Sequence, residues 1–348
     1  MAKFRVALSD DFFKSDGTPT YPMFDLTPLT TNSRVEVGRV RAVDGVMPAA
    51  ELAGYDALIL LVPKINATSL SPDGRLGLIA RFGVGYDSVD VPSCTAADVA
   101  LCITPDGVRR PVAVSILTFM FALTGKLMIK DQLTRQGAEG FNKRAQHMGM
   151  GLVGRTLGSI GIGNIGAELF RLAKPLDMAF IAHDPFADRR LARELGIELV
   201  PLEALFRRAD VLCVNCPLTP ETRHIVNAER LALMKPTAYL INTSRGPTVD
   251  QKALTKALQE RRIAGAGLDV LEQEPPDLSE PILMLDNVIL SPHALCWTDQ
   301  CFAGNGAADV AAVLDYMQGR VPKGVVNRAA LESAGWKRKL EANRKAFA

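Results

Sequence analysis

Three side chains in separate short motifs carry the chemistry to hold an organic anion and move a proton: Arg245 in INTSRG, Glu274 in LDVLEQEPP and His293 in LSPHA. A guanidinium grips a carboxylate through paired hydrogen bonds and polarises a neighbouring carbonyl oxygen. An imidazole both donates and accepts a proton near neutral pH, and a carboxylate on its second nitrogen orients it and favours its charged form. Each motif follows an expected strand, at 238–242, 264–268 and 287–290. Parallel strands deliver their C-terminal ends to one edge, so these loops can meet there. Each residue also has a plainer reading: a turn arginine, a solvated acid beside Glu272, a satisfied loop histidine. His147 and His224 do not closely follow such a strand and are weaker candidates.

A second constellation addresses a dinucleotide. Gly161-Ile162-Gly163-Asn164-Ile165-Gly166 follows an expected strand at 156–160 and opens a helix. In that setting Gly161 allows a tight turn, Gly163 leaves room for a pyrophosphate, and Gly166 lets helix and sheet approach. The unpaired N–H groups where Asn164 and Ile165 begin the helix attract phosphate oxygens. The following strand ends in AFIAHDP, whose Asp184 is placed to accept from the two hydroxyls of an adenosine ribose and to repel a 2′-phosphate. NAD is therefore the expected cofactor, with NADP secondary. Arg189 and Arg190 are read as solvated helix surface, although a guanidinium there is able to reach a phosphate.

The elements that must position these groups follow from periodicity. Short apolar runs at 4–9, 57–62, 77–82 and 99–104 read as strands separated by crossover-length segments, which predicts a parallel α/β layer. The segment 14–31 reads as an extended loop. Pro111 is expected to open an apolar helix over 112–130, after a charged turn PDGVRR. Glycines interrupt 132–151; then strands at 156–160, 178–183, 198–200, 211–214, 238–242, 264–268 and 287–290 alternate with helices, as in a doubly wound sheet. A helix at 299–318 and a basic one at 331–347 close the chain. A helix that late is able to return to the first layer.

Composition narrows the class. The 348 residues carry 40 Lys and Arg against 38 Asp and Glu, a formal net charge of +2, so no basic footprint for nucleic acid is present. MAKFRVALSDDFF places aspartates where a signal peptide needs an apolar core, and the apolar runs at 55–63 and 113–123 are short or interrupted. A cytoplasmic protein with no membrane partner is expected. Cys213 and Cys216 have CxxC spacing but no second pair or nearby histidine; reduced, buried thiols and no metal are expected of the six cysteines.

ARFGVGYDSVDV, VGRTLGSIGIGNIG, CPLTPETRHIVN, LMKPTAYLINTSRG, AGAGLDVLEQEPP and SPHALCWT occur in one order over nearly the whole chain. In this the chain resembles the D-isomer-specific 2-hydroxyacid dehydrogenases. The resemblance implies two Rossmann-like α/β domains with doubly wound parallel sheets, the cofactor domain inserted into a discontinuous substrate domain and a cleft between them. The expected boundaries are 1–110 with 295–330 for the substrate domain, 111–294 for the NAD-binding domain, and 331–348 for a basic terminal helix. It further implies hydride transfer between NAD(H) and a small anionic 2-hydroxy or 2-keto acid. In that pattern His293 is the acid or base, Glu274 its partner and Arg245 the clamp on carboxylate and carbonyl. The backbone amides of Val84 and Gly85 face the substrate carboxylate, and Asp87 is structural. Pro217, Leu218 and Thr219, with Thr222, lie beside the adenosine, while Asn242, Thr243, Asp269 and His293 lie near the nicotinamide end. A homodimer through the cofactor domains is implied, with 132–150 as the joining arm.

The chain departs from the family's common pattern in reading Val112-Ala113-Val114-Ser115 where Val-Ala-Glu is usual, and Ile103 where Asn precedes Thr-Pro. Arg81, Arg109 and Arg110 offer charge to a second anionic group on a substrate, or are ion-paired surface, and Trp297 either narrows the pocket or packs in the core. A non-enzymatic NAD-sensing module and a formate-type dehydrogenase are the rival functions. Glu274 argues against the second, because formate-specific members usually have glutamine there.

Overall fold

Five short segments near the N-terminus pair in parallel as β1 (Phe4–Ser9), β2 (Val35–Val40), β3 (Ala57–Leu60), β4 (Leu78–Arg81) and β5 (Ala100–Ile103), in the order β2-β1-β3-β4-β5. All four residues of β3 are buried, as expected of a strand covered on both faces. The computed structural model describes residues 3–71 and 74–348. It divides into a terminal unit, Met1–Val108 with Thr298–Ala348, and a central unit, Arg109–Trp297.

β2 is not among the strands expected from the apolar runs. Its VEVGRV buries only the two end valines, and it pairs with β1 from Phe4↔Val35 to Ser9↔Val40 as the edge of the sheet. The stretch read as an extended loop contains one short helix, Thr27–Thr30. The basic terminal helix, Ala334–Phe347, packs within the terminal unit. Trp336 is buried and its Nε1 donates to Gly77 O at 2.9 Å, while Lys339 Nζ reaches Leu76 O at 2.8 Å. An apolar side thus holds the helix while the remaining basic residues face water.

The central unit carries seven parallel strands, β6 (Thr156–Ile160), β7 (Ala179–His183), β8 (Ile197–Leu199), β9 (Val211–Val214), β10 (Tyr239–Asn242), β11 (Gly265–Leu268) and β12 (Val288–Leu290). Their order is β12-β11-β10-β9-β6-β7-β8, so the chain winds outward from β6 in one direction and from β9 in the other. The switch between β6 and β9 is where doubly wound sheets bind ligands. One layer of the core joins Leu205, Leu212, Leu240, Leu254 and Ile263; the other joins Ile116, Phe119, Leu157, Leu169 and Ile241. A β-carbon on Gly267 of β11 would lie 2.7 Å from the Phe119 ring, so a bare backbone is what lets that helix sit against the strand.

Two sequence expectations about helices need correction. The apolar helix starts at Pro105, not after Pro111, and runs Pro105–Thr124 with PDGVRR inside it. Pro105 is the effective start signal because a first-turn proline loses no hydrogen bond. At 20 residues this helix is long and apolar enough by composition to cross a membrane, contrary to the reading that no stretch is. Ala113, Ile116, Phe119 and Met120 nevertheless bury one side of it in protein core. It also stops short of 130, since Lys126 takes a left-handed conformation (φ 52°) before a separate helix, Leu127–Arg135.

Candidate active site

In the central unit, the loops after β10, β11 and β12 carry the three residues picked out by their chemistry. His293 Nδ1 lies 2.8 Å from Glu274 Oε2. A carboxylate only accepts, so Nδ1 carries hydrogen and Nε2 is the nitrogen left for other chemistry. The two side chains are 44% and 39% exposed, which leaves the imidazole accessible to a ligand. Leu271 N donates to the other glutamate oxygen at 3.0 Å, fixing the carboxylate plane. Burial of Glu274 opposes its ionisation, but the His293 hydrogen bond and charge, the Leu271 N–H and the Arg245 charge outweigh it. They hold the carboxyl below the usual glutamate range. Glu274 therefore remains an anion through mildly acidic pH and keeps its hold on His293 there.

His293 itself has a left-handed backbone (φ 56°), uncommon for a residue with a β-carbon. Asp269 explains how this is held. Only 3% exposed, it accepts from Ala294 N at 3.0 Å and Leu295 N at 3.1 Å, bracing the turn immediately after the histidine. Asp269, expected near the nicotinamide end, thus has a bracing task at the His293 loop as well.

Arg245 is placed by its neighbours. The Asn242 side chain donates to Arg245 O at 3.0 Å and to Thr248 Oγ1 at 3.3 Å, and accepts from Ser244 N at 3.0 Å and Ser244 Oγ at 2.8 Å. All the hydrogen-bonding capacity of that amide is spent inside the loop. Asn242 thus shapes the turn that presents Arg245, whose own Nη1 donates to Ser244 O at 2.6 Å. Thr243 differs: its hydroxyl is buried with no hydrogen-bond partner, an orphan a ligand would satisfy.

At the other side of the switch point the glycine turn has the shape a pyrophosphate needs. Gly161 has φ 91°, and a β-carbon on Gly166 would sit 2.5 Å from Gly161 O, whereas one on Gly163 would meet nothing within 4 Å. The helix Asn164–Ala173 begins there with Gly163 as its N-cap. Asp184 accepts from Ile162 N at 2.9 Å and Phe186 N at 2.8 Å, which ties its carboxylate to the turn and leaves lone pairs for hydroxyls. Thr222 Oγ1 closes its own turn by donating to Pro217 O at 2.6 Å and accepting from Thr219 N at 2.7 Å. The residues present, with the Thr243 orphan, fit a nicotinamide dinucleotide.

Sequence reasoning missed a second histidine–carboxylate contact, His224 Nε2 with Glu272 Oε1. It braces the loop that also carries Glu274, together with Gln251 Oε1 accepting from Glu272 N at 3.0 Å. The doubled acid in LEQE was the available signal, but no spacing rule links it to a histidine 48 residues away. Of the arginines singled out, Arg110 pairs with Glu168 at 3.0 Å, the ion-paired reading, and Arg190 lies on the exposed helix surface expected of it, 2.9 Å from Glu194. Cys213 and Cys216 are buried; burial pushes the Cys216 thiol up to about 11 and Cys213 higher still, so neither is a thiolate near neutral pH.

In the terminal unit, Val84 and Gly85 follow β4. Neither amide has a hydrogen-bond partner among the described residues.

Comparison with known proteins gives a consistent set. The NAD binding domain of the D-isomer specific 2-hydroxyacid dehydrogenases matches residues 117–294. A glyoxylate reductase of Korarchaeum cryptofilum is 38% identical over 278 residues, 78% of this chain and 83% of that one. A D-3-phosphoglycerate dehydrogenase of Methanocaldococcus jannaschii is 35% identical over 297 residues; the match takes in 84% of this chain and 56% of that longer protein. Among solved structures, an NADPH-dependent glyoxylate/hydroxypyruvate reductase from Sinorhizobium meliloti, in complex with NADP and malonate, superposes with a TM-score of 0.79 at 28% identity. It covers 97% of this chain and 98% of that one.

Proposed function

The chain belongs to the D-isomer-specific 2-hydroxyacid dehydrogenase family and is an NAD-dependent oxidoreductase acting between small 2-hydroxy and 2-keto acids; from that premise we propose that it reduces a short 2-keto acid of the glyoxylate or hydroxypyruvate class. The observation that carries this reading is the His293–Glu274 pair at 2.8 Å, with the Arg245 charge felt at the glutamate.

Bound nicotinamide supplies the hydride. Arg245 holds the substrate's carboxylate and draws electron density toward the keto oxygen. His293 Nε2 donates a proton to that oxygen as it becomes a hydroxyl, and takes it back in the oxidative direction. Glu274, accepting from Nδ1, keeps the ring oriented and stabilises the imidazolium before donation. Asp269 and Asn242 hold the two loops in place. We also assign Val84 and Gly85 to the substrate carboxylate, since an N–H group without a protein partner is a ready donor to an anion.

For the cofactor we assign the pyrophosphate to Gly161, Gly163, Asn164, Ile165 and Gly166, and the adenosine ribose to Asp184, with Pro217 and Thr222 beside it. Thr243 Oγ1 faces the nicotinamide half. Asp184 favours NADH over NADPH by charge. We further propose a homodimer through the 132–150 arm, which leaves Phe141 62% and Met148 75% exposed. A cytoplasmic location suits six cysteines that are all unpaired.

The reading is tested by following NADH and NADPH oxidation with glyoxylate, hydroxypyruvate, pyruvate, phosphohydroxypyruvate and branched keto acids. Turnover with glyoxylate or hydroxypyruvate, faster with NADH, is expected. Oxidation of neither cofactor with any of them would defeat it.

A further inference from the structure

We propose that Thr104 and Asn305 are positioning residues for the keto acid, acting by locking the 82–85 turn so that the Val84 and Gly85 amides stay available to a ligand. The inference rests on the assignment of those two amides to the substrate carboxylate.

The chain leaves the sheet at Gly83. Phe82 N still donates to Leu60 O at 2.9 Å, as if β4 continued, but Gly83 has φ 116°, a conformation open only to glycine. Both backbone groups of Gly83 then go to one residue. Its N–H donates to Thr104 Oγ1 at 2.8 Å and its carbonyl accepts from Thr104 N at 2.9 Å. With Gly83 fully engaged, the next two amides have nothing to bond within the turn.

Thr104 in turn has a fixed polarity. Its single hydroxyl hydrogen goes to Asn305 Oδ1 at 2.8 Å, which leaves the oxygen's lone pairs for Gly83 N. Thr104 and Asn305 are each only 2% exposed, so no water replaces either bond. Asn305 lies on the helix Asp299–Met317 and reaches Thr104 because two glycines meet there: a β-carbon on Gly304 would lie 3.0 Å from Gly107 Cα. Asp309, one turn further along the same helix, is buried and faces the charge of Arg81, whose Nη1 donates to Phe82 O. One helix therefore holds the turn through Asn305, and a hydroxyl and an amide separated by 201 residues fix Gly83 next to the two N–H groups that have no partner among the described residues.

Thr104→Val keeps the shape and removes the hydroxyl, leaving Gly83 N buried and unbonded. The KM for glyoxylate is expected to rise about tenfold, the worth of one buried hydrogen bond, with a smaller change in kcat and none in the Kd of NADH. Asn305→Ala should shift KM in the same direction, and Thr104→Ser should restore it; a purely structural role would not split KM from kcat or be rescued in this way. Independently of turnover, oxalate titrated into the 15N-labelled protein is expected to move the Val84 and Gly85 amide resonances, and to bind Thr104→Val about tenfold more weakly. Folded Thr104→Val and Asn305→Ala proteins that bind oxalate as the wild type does, with both amides still responding, would overturn the positioning role alone. Unresponsive amides in the wild type would remove the carboxylate assignment and this inference with it.

Discussion

His293→Ala is expected to lower turnover about a hundredfold to ten-thousandfold in both directions, the range that a lost general acid–base group typically costs. The Kd of NADH, measured by fluorescence, should stay close to the wild-type value. The asymmetry follows from position: the histidine sits on the loop after β12, across the switch point from the glycine turn and Asp184, which are assigned the adenosine half. Removing the ring also leaves Glu274 without its 2.8 Å partner but still bonded to Leu271 N at 3.0 Å, and Asp269 still braces residues 294 and 295. The loop is therefore expected to survive, and the loss to be chemical. Relief of the left-handed backbone is not expected, since alanine has a β-carbon too. Near wild-type turnover in the folded variant would remove His293 from its role.

Arg245→Lys keeps the charge and is expected to lower kcat/KM for the keto acid by about tenfold to a hundredfold, the worth of one lost charge-assisted hydrogen bond. An ammonium is a point donor and cannot reproduce the planar fork that grips carboxylate and carbonyl together. The variant should fold, because the Asn242 amide, Ser244 and Thr248 still bond through the turn when the Arg245 Nη1 bond to Ser244 O is lost. The variant should also retain NADH affinity. Unchanged kinetics with the keto acid would end the clamp assignment.

Much of this centre was legible from sequence because its chemistry lies in contiguous motifs at strand ends. Gly161, Gly163 and Gly166 could be assigned separate tasks from spacing alone, and the space around each agrees with them. His293 and Glu274 were readable as partners because few side-chain pairs combine those roles. A side chain at a strand end is as able to bond its own loop as a ligand, and the loop bonds of the Asn242 amide were not readable from its motif. Asp269 illustrates the same ambiguity, with one oxygen committed to the loop after His293.

What was not legible depends on long separations or on half-buried patterns. VEVGRV alternates valine with charge and glycine, so β2 looks like surface until β1 pairs with it along six residues. Pro111 drew attention as a helix start because proline usually interrupts helices, yet Pro105 had already opened this one. The Thr104–Asn305 bond leaves no local trace at all, because neither residue's neighbourhood announces the other.

The account's central claim is tested most directly by tracing the hydride. Glyoxylate and NADH carrying deuterium at both C4 positions are incubated with the protein, and the product is read by mass spectrometry and NMR. The account predicts glycolate with one deuterium on C2, formed stoichiometrically with oxidised cofactor. Oxidation of the cofactor with unlabelled glycolate, or no glycolate at all from any short keto acid tried, would contradict it.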